Sequence, residues 1–369
     1  MNNDLCHHRT TALAFCTLYA FILATTFVLN LYLLIPTSIS KLPRSDPRQI
    51  KWRISSVVVT FVTALATYPF LFCQDFDINT INSTSINDEQ HQHQHQHQHH
   101  YSILVFRDVL MNILGWRPLD PSTFIPLMHV MVLYLGSFIT SILQHRLRFI
   151  LQHRLSFERQ KLIFDKNVRT NDSFLVSICR RILQSLKEPF HHPWQATRDL
   201  VIGPLAEEII FRSCIISPFL HSTAHQSGNL SIQTISYIAP LFFGLAHVHH
   251  AFLKLKQGIP LKQVVIGTVF QLTYTTLFGA YVSYCFIKIC SLPGIVFVHS
   301  FCNFMGLPNV GLLLSGGGGA GCGRIGNGDD VKWYRVVSGV AYLIGIAMFW
   351  IGFRTSMGLF PEQGFLLAE

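Results

Sequence analysis

Residues 200–220 read Leu-Val-Ile-Gly-Pro-Leu-Ala-Glu-Glu-Ile-Ile-Phe-Arg-Ser-Cys-Ile-Ile-Ser-Pro-Phe-Leu. Without Glu207, Glu208 and Arg212 this stretch is apolar enough to lie in a bilayer. Each of those charges costs several kcal/mol, on the order of 3, in hydrocarbon unless it is paired or faces a polar cavity. A chain that keeps all three there is using them. Two further polar islands interrupt apolar runs, one at His247 and one at His299 with Asn303. Together the three islands point to one intramembrane site.

The surrounding sequence agrees with a membrane setting. Half of the 369 residues are apolar and only 13% are charged, about half the charged fraction of a soluble domain. Thr11–Pro36 and Ile54–Cys73 each reach the roughly 20 residues needed to cross hydrocarbon, and the second carries no charge. Further runs lie near 122–143, 200–220, 235–253, 263–286, 293–314 and 333–353. The expected fold is all-α, a polytopic integral membrane helical bundle of about eight transmembrane helices. The first run is too long for a signal-peptide core and reads as a retained span. Residues 1–120 read as an N-terminal transmembrane hairpin with a low-complexity lumenal loop. Residues 121–369 read as the catalytic membrane domain, its motif core at 198–310.

The net charge of +9 is distributed as loops, not as a nucleic-acid surface. Residues 144–188 hold ten Lys and Arg against four acids, and residues 37–53 hold five against one. Both are expected to face the cytosol, while 74–100, with four acids and no Lys or Arg, faces the lumen. Within 74–100, Asn82-Ser83-Thr84 is a glycosylation acceptor if lumenal, and 91–100 is an alternating His/Gln tract read as a low-complexity insert. A near repeat at 143–157 and the stretch 174–187 read as amphipathic or simply solvated helix. The glycine-rich 315–328 lacks the Lys-Ser/Thr of a phosphate loop and reads as a connector. Nine cysteines are scattered without a Cys-x-x-Cys pair and read as small buried hydrophobes.

Glu208 and Arg212 are four apart on one helical face and can pair, whereas Glu207 points about 100° away. Gly203-Pro204 suits a helix start, whose dipole favours an ionised Glu207 while burial opposes it. A carboxylate held between such terms suits a general base. The competing reading is a Glu/Glu/Arg cluster that joins helices. His247 has His249 and His250 beside it, so a metal site has to be weighed, although no His-Glu-x-x-His occurs. His249 and His250 read as interfacial. His299 and Asn303 stack on one face and can both donate to a developing oxyanion, a contribution of about 3 kcal/mol per donor in a dry site. The alternative is a hydrogen bond between helices. Counting turns places Glu207 and His247 at similar depth from the cytosolic face. It leaves His299 too near the lumen if 293–314 is a full span.

Glu207-Glu208-x-x-x-Arg212, Phe243-x-x-x-His247 and His299-x-x-x-Asn303, in that order, resemble the three signatures of the CPBP (Abi) intramembrane protease family. The flanks Val201–Glu208, Phe243–His250 and Val269–Pro308 are similar to its eukaryotic Ras-converting CAAX endopeptidases. The resemblance covers 198–310 well; the first 120 residues match in hydropathy only. It implies a hydrolase in which Glu207, assisted by His247, activates water and in which His299 and Asn303 form the oxyanion site. Glu208 and Arg212 take a supporting role, and no metal or other cofactor is called for. The implied substrates are farnesylated or geranylgeranylated CAAX proteins such as small GTPases, which lose their last three residues at the endoplasmic reticulum membrane. Two readings stand against it: a zinc-dependent membrane metalloprotease using His247, His249 and His299, and a non-proteolytic transporter or receptor with buried charges.

Overall fold

The computed structural model describes residues 13–72, 111, 114–146, 191–224, 230–308 and 328–360. The His/Gln tract, the Asn82 acceptor, the stretch 174–187, most of the 143–157 repeat and the glycine-rich connector lie outside them. Every regular element among the described residues is helical. Five helices are long and apolar enough to cross a membrane: Leu13–Leu33, Pro47–Pro69, Ile232–Lys256, Leu261–Ile289 and Lys332–Met357. A sixth results if Pro121–Leu133 and Leu135–Arg146, bent by 42°, count as one span. The all-α polytopic class therefore holds, with each of these helices inside or beside an apolar run of the sequence.

The chain divides into two compact units. The first contains residues 1–126, 197–300 and 357–369. It opens with α1 (Leu13–Leu33) and α2 (Pro47–Phe72). Pro47 suits the first turn of α2, where its missing N–H is no loss. The Asp46 carboxylate accepts from Arg48 N at 2.8 Å and pairs with its guanidinium at 3.2 Å. Arg48 holds that carboxyl below the usual carboxylate range. Between the two helices, Asn30 Nδ2 donates to Thr60 Oγ1 at 2.9 Å, a polar link between apolar faces.

The helices that carry the motifs come next. α5 (Gly203–Glu208) and α6 (Ile215–Ala224) belong to one helical run from Pro193 to Ala224, interrupted twice by π turns. Ser231 caps α7 (Ile232–Ala246) by accepting from Thr234 N at 3.1 Å. A break at His247 and Val248 leads to α8 (His249–Lys256). α9 (Leu261–Ile289) returns along α7, and Gly244 and Gly279 mark their closest approach. A Cβ on Gly279 would stand 2.8 Å from Pro240 Cβ and 3.4 Å from an Arg212 terminal nitrogen.

α9 ends on Cys290, a non-glycine residue in the left-handed region with φ 53°. The turn is buttressed by residues 114–115. Gly115, itself at φ +70°, lies so close to Phe286 that a Cβ would fall 2.6 Å from its ring, and its carbonyl accepts from Leu292 N at 2.7 Å. α10 (Leu292–Met305) starts there. It has 14 residues, roughly 21 Å of helix against about 30 Å of hydrocarbon. The span expected at 293–314 is therefore a short helix, and this removes the difficulty over His299, which lies mid-helix and not at one end of a full crossing.

The second unit contains residues 127–196 and 301–356. α3 (Ile125–Leu133) and α4 (Leu135–Arg146) are introduced by a capping box, in which Asp120 accepts from Thr123 N at 3.0 Å and Thr123 Oγ1 accepts from Asp120 N at 3.2 Å. Within this unit α4 meets α11 (Gly328–Met357) through Ser137 Oγ and the Tyr342 hydroxyl, 3.0 Å apart. His129 Nε2 and Ser356 Oγ lie 2.8 Å apart. Among the described residues the cysteines Cys16, Cys214, Cys285, Cys290 and Cys302 are buried thiols outside any disulfide, placed as small hydrophobes are.

Candidate active site

The helical run through Glu207 departs from the expected local structure. Gly203-Pro204 suits a helix start by sequence, but the chain stays helical through it. In the π turn Arg198–Ile202, Gly203 N–H bonds to Arg198 O five residues back. A Cβ on Gly203 would fall 2.8 Å from that same oxygen, so glycine is what the turn admits. Pro204 follows in the first turn of the next segment, where its missing N–H leaves no donor unbonded. No free dipole end therefore stands at Gly203 to favour an ionised Glu207. A second π turn, Ile209–Cys214, begins directly after the two carboxylates. Single π turns re-aim side chains and gather at functional sites.

Glu208 and Arg212 do pair, with Arg212 Nε 3.1 Å from Glu208 Oε2, and both side chains are sealed off, at 0% and 1% exposure. Arg212 also lies over the Phe243 ring, 4.5 Å from its centroid, a contact that eases the cost of burying a guanidinium. Among the described residues both of its terminal nitrogens lack a hydrogen-bond partner. The second oxygen of Glu208 is engaged as well: Oε1 lies 2.6 Å from His299 Nδ1. An ionised carboxylate can only accept, so Nδ1 carries the proton. Nε2 is left as the nitrogen of His299 that faces outward. It stands 3.7 Å from Glu207 Oε2. That is too long for a direct bond, but two atoms so spaced can hold one water between them at about 2.8 Å each. Glu207, at 24% side-chain exposure, is the carboxylate of the pair that solvent can reach.

Phe243 is the hub of this arrangement. Its ring lies 5.1 Å from Phe211, 4.7 Å from His247 and 6.2 Å from His299, all edge-on, with Arg212 over one face. Phe278 closes the other side of His299 at 5.4 Å. His247 is the C-terminal cap of α7, and its Nδ1 lies 2.8 Å from Phe243 O. A carbonyl accepts only, so Nδ1 donates and Nε2 keeps its lone pair. The sequence pattern contained Phe243 but gave it no task; its spacing of four from His247 was the available signal. The π turns left no such trace.

The structure thus brings together Glu207, Glu208, Arg212 and His299, with His247 joined to them through Phe243. Asn303 follows one turn beyond His299 on α10, with its side chain exposed. His249 and His250 are half-buried, their rings tilted against each other with centroids 4.0 Å apart. Among the described residues no three His, Cys, Asp or Glu side chains stand close enough to hold a metal ion, so the donor set His247, His249 and His299 does not converge.

Residues 189–305 match the family model described as Type II CAAX prenyl endopeptidase Rce1-like. This interval contains every residue of the site, in agreement with the resemblance read from the three motifs. The chain is 34% identical over 158 residues to a protein named Probable CAAX prenyl protease 2 in Schizosaccharomyces pombe, covering 42% of this chain and 50% of that protein. It is 39% identical over 114 residues to CAAX prenyl protease 2 of Homo sapiens, covering 31% and 32%. With CAAX prenyl protease 2 of Saccharomyces cerevisiae it shares 34% over 129 residues, covering 34% and 40%. The matches span half or less of each of these relatives. No solved structure matches the chain.

Proposed function

We propose that this chain is a membrane endopeptidase that removes the C-terminal aaX tripeptide from prenylated CAAX proteins, with Glu207 as the base that activates water. The observation that carries the reading is His299 held between two carboxylates, at 2.6 Å from the sealed Glu208 and 3.7 Å from the solvent-reached Glu207. One carboxylate is tied down as a brace, and the other is left for a proton. The relatives named CAAX prenyl protease 2 and the matching family model supply the substrate class.

Glu207 takes a proton from the bound water, and the hydroxide attacks the carbonyl carbon of the prenylated cysteine. The carbonyl oxygen becomes an oxyanion. Asn303 donates to it, and so does His299 Nε2; with Nδ1 already donating to Glu208, this second donor is that of an imidazolium, the form that two flanking carboxylates favour. His247, with Nε2 free, assists in holding the water. Glu207 returns its proton to the leaving nitrogen, and the C–N bond breaks. The products are a protein ending in a prenylcysteine carboxylate and a free tripeptide. A prenyl chain partitions into lipid, so the scissile bond arrives at shallow depth. Substrates such as small GTPases meet the enzyme at the cytosolic face of the endoplasmic reticulum membrane.

The test is cleavage of one prenylated peptide by membranes holding wild type or Glu207→Gln. The swap keeps shape and removes the base. The expected loss in kcat is about 10³-fold, within the range for general-base catalysis. Full activity of Glu207→Gln would overturn the reading.

A further inference from the structure

One charge cluster takes no part in the chemistry above. Arg53, in the second turn of α2, lies over the Tyr32 ring at 5.6 Å. Tyr32 in turn meets His249 at 5.7 Å, and the His249 ring lies tilted against His250 at 4.0 Å. His250 lies 5.9 Å from His247, so the cluster begins one ring away from the candidate site. The charges of Arg44 and Arg198 bear on Arg53, and those of Arg44 and Lys254 bear on His250. Of these cations Arg198 alone has an acid, Asp199 at 2.5 Å. Arg44, Arg53 and Lys254 have no carboxylate partner among the described residues, and Arg53 Nε is buried without a hydrogen bond. Like charges gathered without a counter-charge repel, and a buried N–H left unbonded costs on the order of 1–3 kcal/mol. Such a gathering favours an anion.

We propose that Arg53, with Arg44, Lys254 and His250, binds the C-terminal carboxylate of the peptide being cut, so that the enzyme measures three residues from the chain end. This rests on the endopeptidase reading above. The tripeptide beyond the scissile bond spans roughly 10 Å when extended. His250 stands one ring contact from His247, which brings the near edge of the cluster within that reach. Arg44 and Arg53 belong to the stretch 37–53, whose charge places it at the cytosolic face. The prenyl group lies in lipid, and the carboxylate end is thereby directed to the wet side. The phosphate of an anionic lipid would suit the same cations, but nothing about a headgroup explains why they adjoin His247.

The test uses full-length protein carrying Glu207→Gln, so that peptide stays intact, in nanodiscs of neutral phosphatidylcholine. Two dye-labelled farnesylated tetrapeptides are compared, one ending in a carboxylate and one in an amide. The acid is expected to bind at least about tenfold more tightly than the amide, the scale of one charge-assisted contact. Adding Arg53→Gln removes that preference, and Arg53→Lys restores part of it. Equal binding of acid and amide, no binding of either, or a preference that survives Arg53→Gln overturns the proposal. So does an effect of Arg53→Gln that needs phosphatidylserine and is the same for both peptides, which would assign the cluster to lipid. If Arg53→Gln does not fold, Arg44→Gln and Lys254→Gln decide by the same comparison. Cleavage by protein with Glu207 intact is scored separately, so failure of the endopeptidase reading is seen apart from failure of the anion site.

Discussion

Two neighbouring glutamates have different fates here. Glu208 is wholly enclosed and touches both Arg212 and His299; Glu207 keeps a quarter of its side chain open and stands 3.7 Å from the far nitrogen of the same histidine. Their substitutions should separate. Glu208→Ala leaves Arg212 charged, buried and unpaired, and is expected to cost about 3–5 kcal/mol of stability. It also frees the His299 ring, with a loss in kcat of about 10–100-fold, the scale seen when an orienting partner is removed. Glu207→Gln should lose far more activity with thermal unfolding nearly unchanged. Tm and kcat measured on both variants check this; equal drops in Tm would contradict it. The motif spacing made the Glu208–Arg212 pair legible, because i and i+4 meet on any helix. It could not reveal that His299 would complete the carboxylate, since a contact between residues 91 apart is set by packing and not by local pattern.

At the scale of helices, α7 and α9 pack closely because Gly244 and Gly279 let them. Gly279→Ala would push a methyl to 2.8 Å from Pro240 and toward the Arg212 guanidinium. The expected cost is about 1–3 kcal/mol, as for other overpacked cores, together with weakened cleavage. Thermal unfolding of the variant reads the first and the peptide assay the second. Gly258→Ala is the contrast, since space there is open and only φ +77° opposes the new methyl; its cost is about 1–2 kcal/mol, with cleavage unaffected. Hydropathy recovered the long helices because unbroken apolar runs carry that signal. It overextended α10 to residue 314, since apolar residues continue past Met305, where the helix stops. It missed both π turns, because one wide turn changes the hydrogen-bond register without changing composition.

At the scale of the molecule, α1 and α2 are part of the unit that holds Glu207, Glu208, His247 and His299, although their sequence carries no motif. Phe27 of α1 meets Phe211 edge-on at 5.7 Å, and Phe211 meets Phe243 at 5.1 Å. Cys16 Sγ donates to Pro218 O at 3.6 Å. Phe27→Ala is therefore expected to lower stability by about 3 kcal/mol and to reduce kcat from a position without catalytic chemistry. A variant with unchanged Tm and unchanged cleavage would show that the first helix is only an anchor. Hydropathy marked α1 as a span, but its apolar composition is nearly uniform around the helix, so nothing in it indicated which face the motif helices would cover.

Residues 114 and 115 carry a consequence for the site. The Leu114 carbonyl takes a bond from Ser213 Oγ at 2.7 Å, and the Gly115 carbonyl takes one from Leu292 N at 2.7 Å. The run bearing Glu208 and the helix bearing His299 thus hang from adjacent peptide groups, like two plumb lines tied to one nail. Glu208 lies about a turn and a half from its knot and His299 about two turns from the other. A displacement of the nail carries acid and imidazole together, so their mutual alignment survives movements that would shear apart two independently tethered helices.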